Sequence, residues 1–157
     1  MRYRLIVVVS FALALSTPCV AQLPDRAKTP GVVRALSMRA VCTTKWGKDQ
    51  RHVTTAMKRR VLAAYGLTWD DRVLVEIDHL VSRELGGADD VQNLWPERWD
   101  VVVGDRQMGA RQKDRVEHAA HRAVCAGTLS LAETQREIAR DWTALYVRLI
   151  GPFPLAK

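Results

Sequence analysis

Cysteine and long apolar stretches are both in short supply in this chain. Its 157 residues hold three cysteines, Cys19, Cys42 and Cys125, with no Cys-x-x-Cys spacing, which makes a poor structural zinc site. The one sustained apolar run, Leu5 to Leu15, is broken only by Ser10 and is too short to span a bilayer as a finished helix. No internal repeat and no low-complexity tract is visible, which argues against repeat architectures. What remains, 48% hydrophobic and 26% charged residues, supports one ordinary globular domain and hardly two. One site in one domain is therefore expected.

The N-terminus reads as an export signal. Arg2 and Arg4 form a positive region ahead of the apolar run, and Cys19-Val-Ala21 places small residues where a signal peptidase needs them, so residues 1–21 are a signal peptide cleaved before Gln22. The competing outcome is a lipid anchor on Cys19, because Leu15-Ser-Thr-Pro-Cys19 resembles a lipobox, although Pro18 before the cysteine fits poorly. The expected location is periplasmic or secreted, with no stable membrane insertion after cleavage. Cleavage removes two arginines and no acid, taking the formal charge from +7 to +5. A basic protein favours polyanions such as nucleic acid, since phosphate contacts release counterions, but the same balance also serves solubility alone. Cys42 and Cys125 then remain as an even pair in an oxidising compartment, which reads as a disulfide. Closing so long a loop is worth roughly 4 kcal/mol in the chain-entropy model; the alternative is two buried thiols.

Residues 22–40, with Pro24, Pro30 and Gly31 among mixed charges, read as a leader whose second half begins to order, followed by one domain over 41–150 and a tail over 151–157. Thr54 or Thr55 can cap a helix from about Ala56 to Tyr65, stopped by Gly66, with Met57, Val61, Ala64 and Tyr65 on one face. Val73 to Val81, rich in β-branched residues, reads as a strand; Gly86-Gly87 and Asp89-Asp90 are turn chemistry; Val91 to Trp95 returns as a second strand ended by Pro96. Residues 97–107 carry no clear assignment. A helix is expected over Met108 to Ala126, with Val116, Ala119, Ala120, Ala123 and Val124 on its apolar side. Another, opened by the capping box Ser130-Leu-Ala-Glu133, runs to about Ile150 with a stripe of Leu131, Ile138, Trp142, Leu145 and Leu149. The fold class is α+β, mainly α with one β-hairpin.

Phosphodiester hydrolysis needs a base for water, a cation for the phosphate, and a frame that keeps them in register. Asp78 offers a hard oxygen for a divalent cation, and His79 a nitrogen base that titrates near neutrality. Adjacent strand residues point to opposite faces, so both serve one site only if the strand bends or ends there.

The order Asp78-His79, Gly86-Gly87, Asn93-Leu94 resembles the HNH (ββα-metal) nuclease motif. A wider pattern is similar to small exported bacterial HNH-like proteins. It includes Cys42, Trp46 to Asp49, Arg51, Val53, Tyr65-Gly66, Glu84 to Gly87, Asn93 to Pro96, Lys113-Asp114, Glu117 and Val124 to Gly127. The resemblance implies a ββα-metal core with His79 as general base, Asp78 as metal ligand and Asn93 as a brace for the loop. It also implies one divalent ion (Mg, Mn or Zn) and nucleic acid as substrate, DNA ahead of RNA. The departure is at the third ligand: aligning Lys113 with the motif's lysine puts Ala110 where a histidine would stand. Glu117 or His121, one and two turns on from Lys113, are the substitutes. Against them, Lys113 and Glu117 also read as an ordinary helix ion pair, and His121 as a residue that covers the core.

Lys58, Arg59, Arg60, Arg106, Arg111 and Arg115 are candidates for phosphate contacts, which carry no sequence preference. Glu84 is a further oxygen with Arg83 as a plain partner, and His52 reads as a surface residue that could touch phosphate. Trp95 is expected to pack the hairpin on the helix, with base stacking as the alternative for it and Trp99. The rival readings are a non-catalytic envelope scaffold of the same fold, favoured by Ala110, and a metal-binding module without hydrolysis.

Overall fold

The computed structural model describes residues 23–157. The export signal over 1–21, its cleavage site and the Cys19 anchor lie outside the described residues. These residues form an α+β arrangement of four helices and two small antiparallel sheets.

Helix α1 (Met38–Thr43) starts where the Ser37 hydroxyl accepts from the Ala40 N–H. Helix α2 (Thr55–Ala64) is capped by Thr54, whose hydroxyl accepts from the Met57 N–H at 3.2 Å. A 3₁₀ turn, Asp70–Val73, leads into strand β1 (Val75–His79). The return differs from the sequence expectation. Val91–Asn93 is a 3₁₀ turn, and strand β2 is Leu94–Arg98 with Pro96 inside it. In a two-stranded sheet each strand has a free edge, and Pro96 lies opposite Ile77. The Leu80 N–H donates to the Asn93 carbonyl, so the antiparallel alternation puts the Pro96–Ile77 pair where no ladder bond is required. The outward carbonyls on either side are taken by the Thr29 hydroxyl, 3.0 Å from Leu94 O, and the Arg51 guanidinium, 2.9 Å from Ile77 O.

The unassigned stretch after β2 is a second hairpin, β3 (Val101–Val103) with β4 (Arg106–Met108), so the described residues hold two hairpins where one was expected. Helix α3 (Ala110–Cys125) therefore starts two residues later than anticipated. Helix α4 (Leu131–Leu149) is capped by Ser130 and broken at Asp141 (φ −163°, ψ 91°). The Asp141 carboxylate accepts from the N–H groups of Thr143 and Ala144, which makes it the N-cap of a second helical segment.

Two cores result. The larger joins Val81, Leu85, Val116, Ala120 and Val124 to the α4 stripe of Ile138, Trp142 and Leu145. Phe153, from the C-terminal segment, closes it by stacking on Tyr146 at 4.1 Å. The smaller lies between α2 (Val61, Leu62) and one face of the hairpin (Val75, Ile77, Leu94). The segment before α1 runs along the hairpin loop: Gly31 N–H donates to Gln92 O, and Arg34 N–H to Gly86 O. Cys42 and Cys125 form a disulfide that ties α1 to the end of α3. Among the described residues no helix is long and apolar enough to cross a membrane.

Candidate active site

The loop joining β1 to β2 is held by one side chain. Asn93, fully buried, accepts from the Val81 N–H at 2.9 Å and donates to the Val81 and Ala88 carbonyls at 2.9 and 3.1 Å. The two glycines make the loop close enough for this. Gly86 sits at φ +85°, and a Cβ on Gly87 would lie 1.8 Å from the Val81 carbonyl oxygen and 2.8 Å from the Asn93 amide nitrogen.

Asp78 and His79 come at the end of β1 and leave it in different directions. The His79 ring, 4% exposed, bonds through Nε2 to Asp89 Oδ1 at 2.7 Å. A carboxylate accepts, so the proton sits on Nε2 and the lone pair on Nδ1. Burial lowers the His79 pKa, and the exposed Arg51 guanidinium adds to this; the nearby Asp78 and Asp89 carboxylates oppose both without reversing them. The ring is therefore neutral at pH 7. Asp89 is itself fixed: it accepts from the His52 N–H and lies 3.7 Å from the Arg83 Nε. Arg83 also bonds to the Asp49 carboxylate and the Gln50 carbonyl, not to Glu84.

Asp78 faces α3, where a lysine lies fully buried. Lys113 Nζ donates to Asp78 Oδ2 and to the His79 carbonyl, both at 2.6 Å, and to the Glu117 carboxylate. Burial alone would raise the Asp78 carboxyl, but the Lys113 ammonium outweighs it and holds the group below its ordinary value. Burial alone would likewise strip Lys113 of its proton; Asp78, Glu117 and Glu97 together hold the proton on more tightly than in water. Glu97, on β2 and on the same face as Asp78, is 1% exposed; neither carboxylate oxygen accepts a hydrogen bond, whereas the protonated carboxyl has Asp78 as its partner. Burial raises both Glu97 and Glu117 well above the ordinary range, with Asp78 adding like-charge repulsion.

The structure thus brings Asp78, His79, Asn93 and Glu117 together around one strand end. It does not bring His121 there: that ring turns to the Val41 carbonyl at 3.3 Å and the Cys125 sulfur at 3.5 Å. Asp78 and Glu117 do share a cation, and it is the Lys113 ammonium. Among the described residues no three His, Cys, Asp or Glu side chains are grouped to hold a metal ion. With Lys113 seated, the carboxylates do not fit a divalent ion.

The basic candidates are dispersed. Arg60 and Arg111 are exposed; Arg59 stacks on Trp69 at 4.1 Å; Arg115 lies 5.8 Å over Tyr146; Arg106 donates to the Phe153 carbonyl. Lys58 is half-buried beside a small cavity shared with Arg51, Trp69, Arg72 and Trp99. Trp95 is buried and Trp99 is 41% exposed.

Sequence reasoning missed Asp89, Arg83 and Glu97 as members of the site. Asp89 was visible only as turn chemistry. Glu97 was hidden by reading Pro96 as the end of β2; carried through the proline, the two-residue period puts Glu97 beside Trp95 and across from the strand that bears Asp78. No family model, curated protein or solved structure matches the chain.

Proposed function

We propose that this protein is an exported phosphodiesterase of the HNH type acting on nucleic acid, DNA ahead of RNA, with a hairpin-and-helix site of the ββα kind. The observation that carries the reading is the His79–Asp89 pair at the strand end, beside Asp78 and under the loop braced by Asn93. A neutral imidazole with Nε2–H committed to a carboxylate has Nδ1 free to take a proton from water as the water oxygen attacks phosphorus and the ester oxygen leaves. The exposed Arg51 guanidinium is the cation best placed for the phosphate, close enough to His79 to disfavour its protonation. The HNH resemblance implies a divalent ion on Asp78. Because Lys113 fills that position, no step is assigned to a metal.

The test is incubation of the full chain with plasmid and with RNA across Mg²⁺, Mn²⁺, Zn²⁺ and chelator. Cleavage is expected in at least one condition, and His79→Ala should lower its rate by about 10²–10⁴-fold, the ordinary worth of a positioned base. Inactivity in every condition would reject the enzyme.

A second reading has its own support. Lys113, with no exposure at all, acts as a structural cation, and a site closed in this way suits a non-catalytic scaffold that keeps the fold. Under that reading His79→Ala changes no cleavage, and the wild-type chain shows none that depends on metal.

A further inference from the structure

A large cavity lies away from this cluster, along the outer edge of β2 between α2 and α4. Its volume is about 590 Å³, within the range of small-ligand sites. None of Asp78, His79, Asp89, Glu97, Lys113 and Glu117 lines it. Its walls are apolar, built from Leu23, Tyr65, Leu67, Leu74, Trp95 and Pro96.

One feature sets it apart from a packing defect. Three arginines, Arg26, Arg98 and Arg140, line the cavity, and none of their guanidinium groups makes a hydrogen bond, ion pair or ring contact among the described residues. The two acids that line it do not neutralise them. Asp25 accepts from the Ala27 N–H and pairs with Lys28, while Asp71 accepts from the Thr68 N–H and hydroxyl. An apolar chamber with unpaired guanidinium groups beside it is complementary to a molecule with an apolar body and one anionic head.

We infer that this cavity binds a small amphipathic anion, a medium-length acyl chain or comparable apolar group bearing a carboxylate or a phosphate. The body displaces water from the Leu67, Leu74 and Pro96 walls, and the head pairs with the arginines.

The experiment is calorimetric titration of the full chain with decanoate and with decyl phosphate, and with decanol and acetate as molecules lacking the head or the body. Saturable 1:1 binding is expected for decanoate, decyl phosphate or both, and which of them binds identifies the head. Decanol should bind at least about tenfold more weakly, since it forgoes charge-assisted hydrogen bonds, and acetate not at all. Arg98→Ala and Arg140→Ala should each weaken binding by several-fold. Leu74 is 52% exposed, so Leu74→Trp fills the cavity from the rim without disturbing the core and should abolish binding. No saturable binding by either amphiphile, equal binding of decanol, or binding indifferent to Leu74→Trp would each overturn the inference. So would hydrogen-exchange protection of residues 5–15 that disappears in Leu74→Trp, because it would assign the cavity to the chain's own apolar run. None of these measurements involves nucleic acid, so they succeed or fail independently of the nuclease reading.

Discussion

The β1–β2 hairpin has one face built on shape and one built on charge. Toward α2, Val75, Ile77 and Leu94 meet Val61 and Leu62, and every group involved is indifferent to pH. Toward α3, Asp78 and Glu97 meet Lys113 and Glu117, three acids around one ammonium in a space almost without water. The same ten strand residues thus contribute to stability in two ways. The apolar face gains free energy from burial at any pH, whereas the charged face is favourable only while its proton inventory is right. Proteins keep such a buried charge cluster at a cost in stability, and this one adjoins the His79–Asp89 pair.

The largest expected effect comes from removing the cation. Lys113→Met should destabilise the fold by about 3–5 kcal/mol in denaturant titration, because it leaves buried carboxylates uncompensated. If Mn²⁺ restores part of that loss in the variant and does nothing for the wild type, the lysine stands in for a metal. If Mn²⁺ stabilises the wild type and Asp78→Asn removes the effect, the ion displaces Lys113 and the charged face is a true metal centre.

Next is Leu62→Ala on the apolar face, expected to cost about 2–4 kcal/mol through lost burial and the cavity left behind. This loss should be the same at pH 5 and pH 8, and a pH-dependent loss would erase the distinction between the faces.

Smaller and opposite in sign, Glu97→Gln should raise stability by about 1 kcal/mol at pH 7, since a neutral amide replaces a buried carboxyl whose ionisation burial opposes. Its folded pKa is raised, so the native state holds its proton more tightly than the unfolded chain. The wild type should therefore lose stability as pH rises from about 4.5 toward the folded value, and the variant should not. His79 behaves in the reverse direction: its folded pKa is lowered, so the stability it contributes is present above about 6.5 and lost as pH falls toward the folded value. Asp89→Asn, which removes the charge favouring the protonated ring, should carry that window to lower pH by a fraction of a unit in an NMR titration of His79.

The loop half of the candidate site was legible because its chemistry is local. Asp78-His79, the glycine pair and Asn93 lie within sixteen residues, and each has a conformational or bonding task that its residue type announces. The helix half was not, because Lys113 looks like a surface residue until the fold places Asp78 above it; a helical Lys–Glu pair reads the same whether exposed or buried. Pro96 hid both the length of β2 and the role of Glu97, since the permission for proline in a strand depends on which edge is free. The second hairpin went unread for want of turn and alternation signals strong enough to compete. The break at Asp141 was masked by an apolar stripe that continues through it, as Ile138, Trp142 and Leu145 all reach the core.

The disulfide bears on what happens after the chain is cut. The ring closed by Cys42 and Cys125 contains Arg51, Asp78, His79, Asp89, Asn93, Glu97, Lys113 and Glu117, that is, the whole candidate site. One accessible point in it is the turn at Gly104-Asp105, where both residues are exposed. A protease that nicks the backbone there divides the hairpin that carries His79 from the helix that carries Lys113, yet the two pieces stay joined through sulfur. In surroundings rich in proteases, one cut would leave a two-chain molecule still able to reassemble its site, and only reduction would let the halves part.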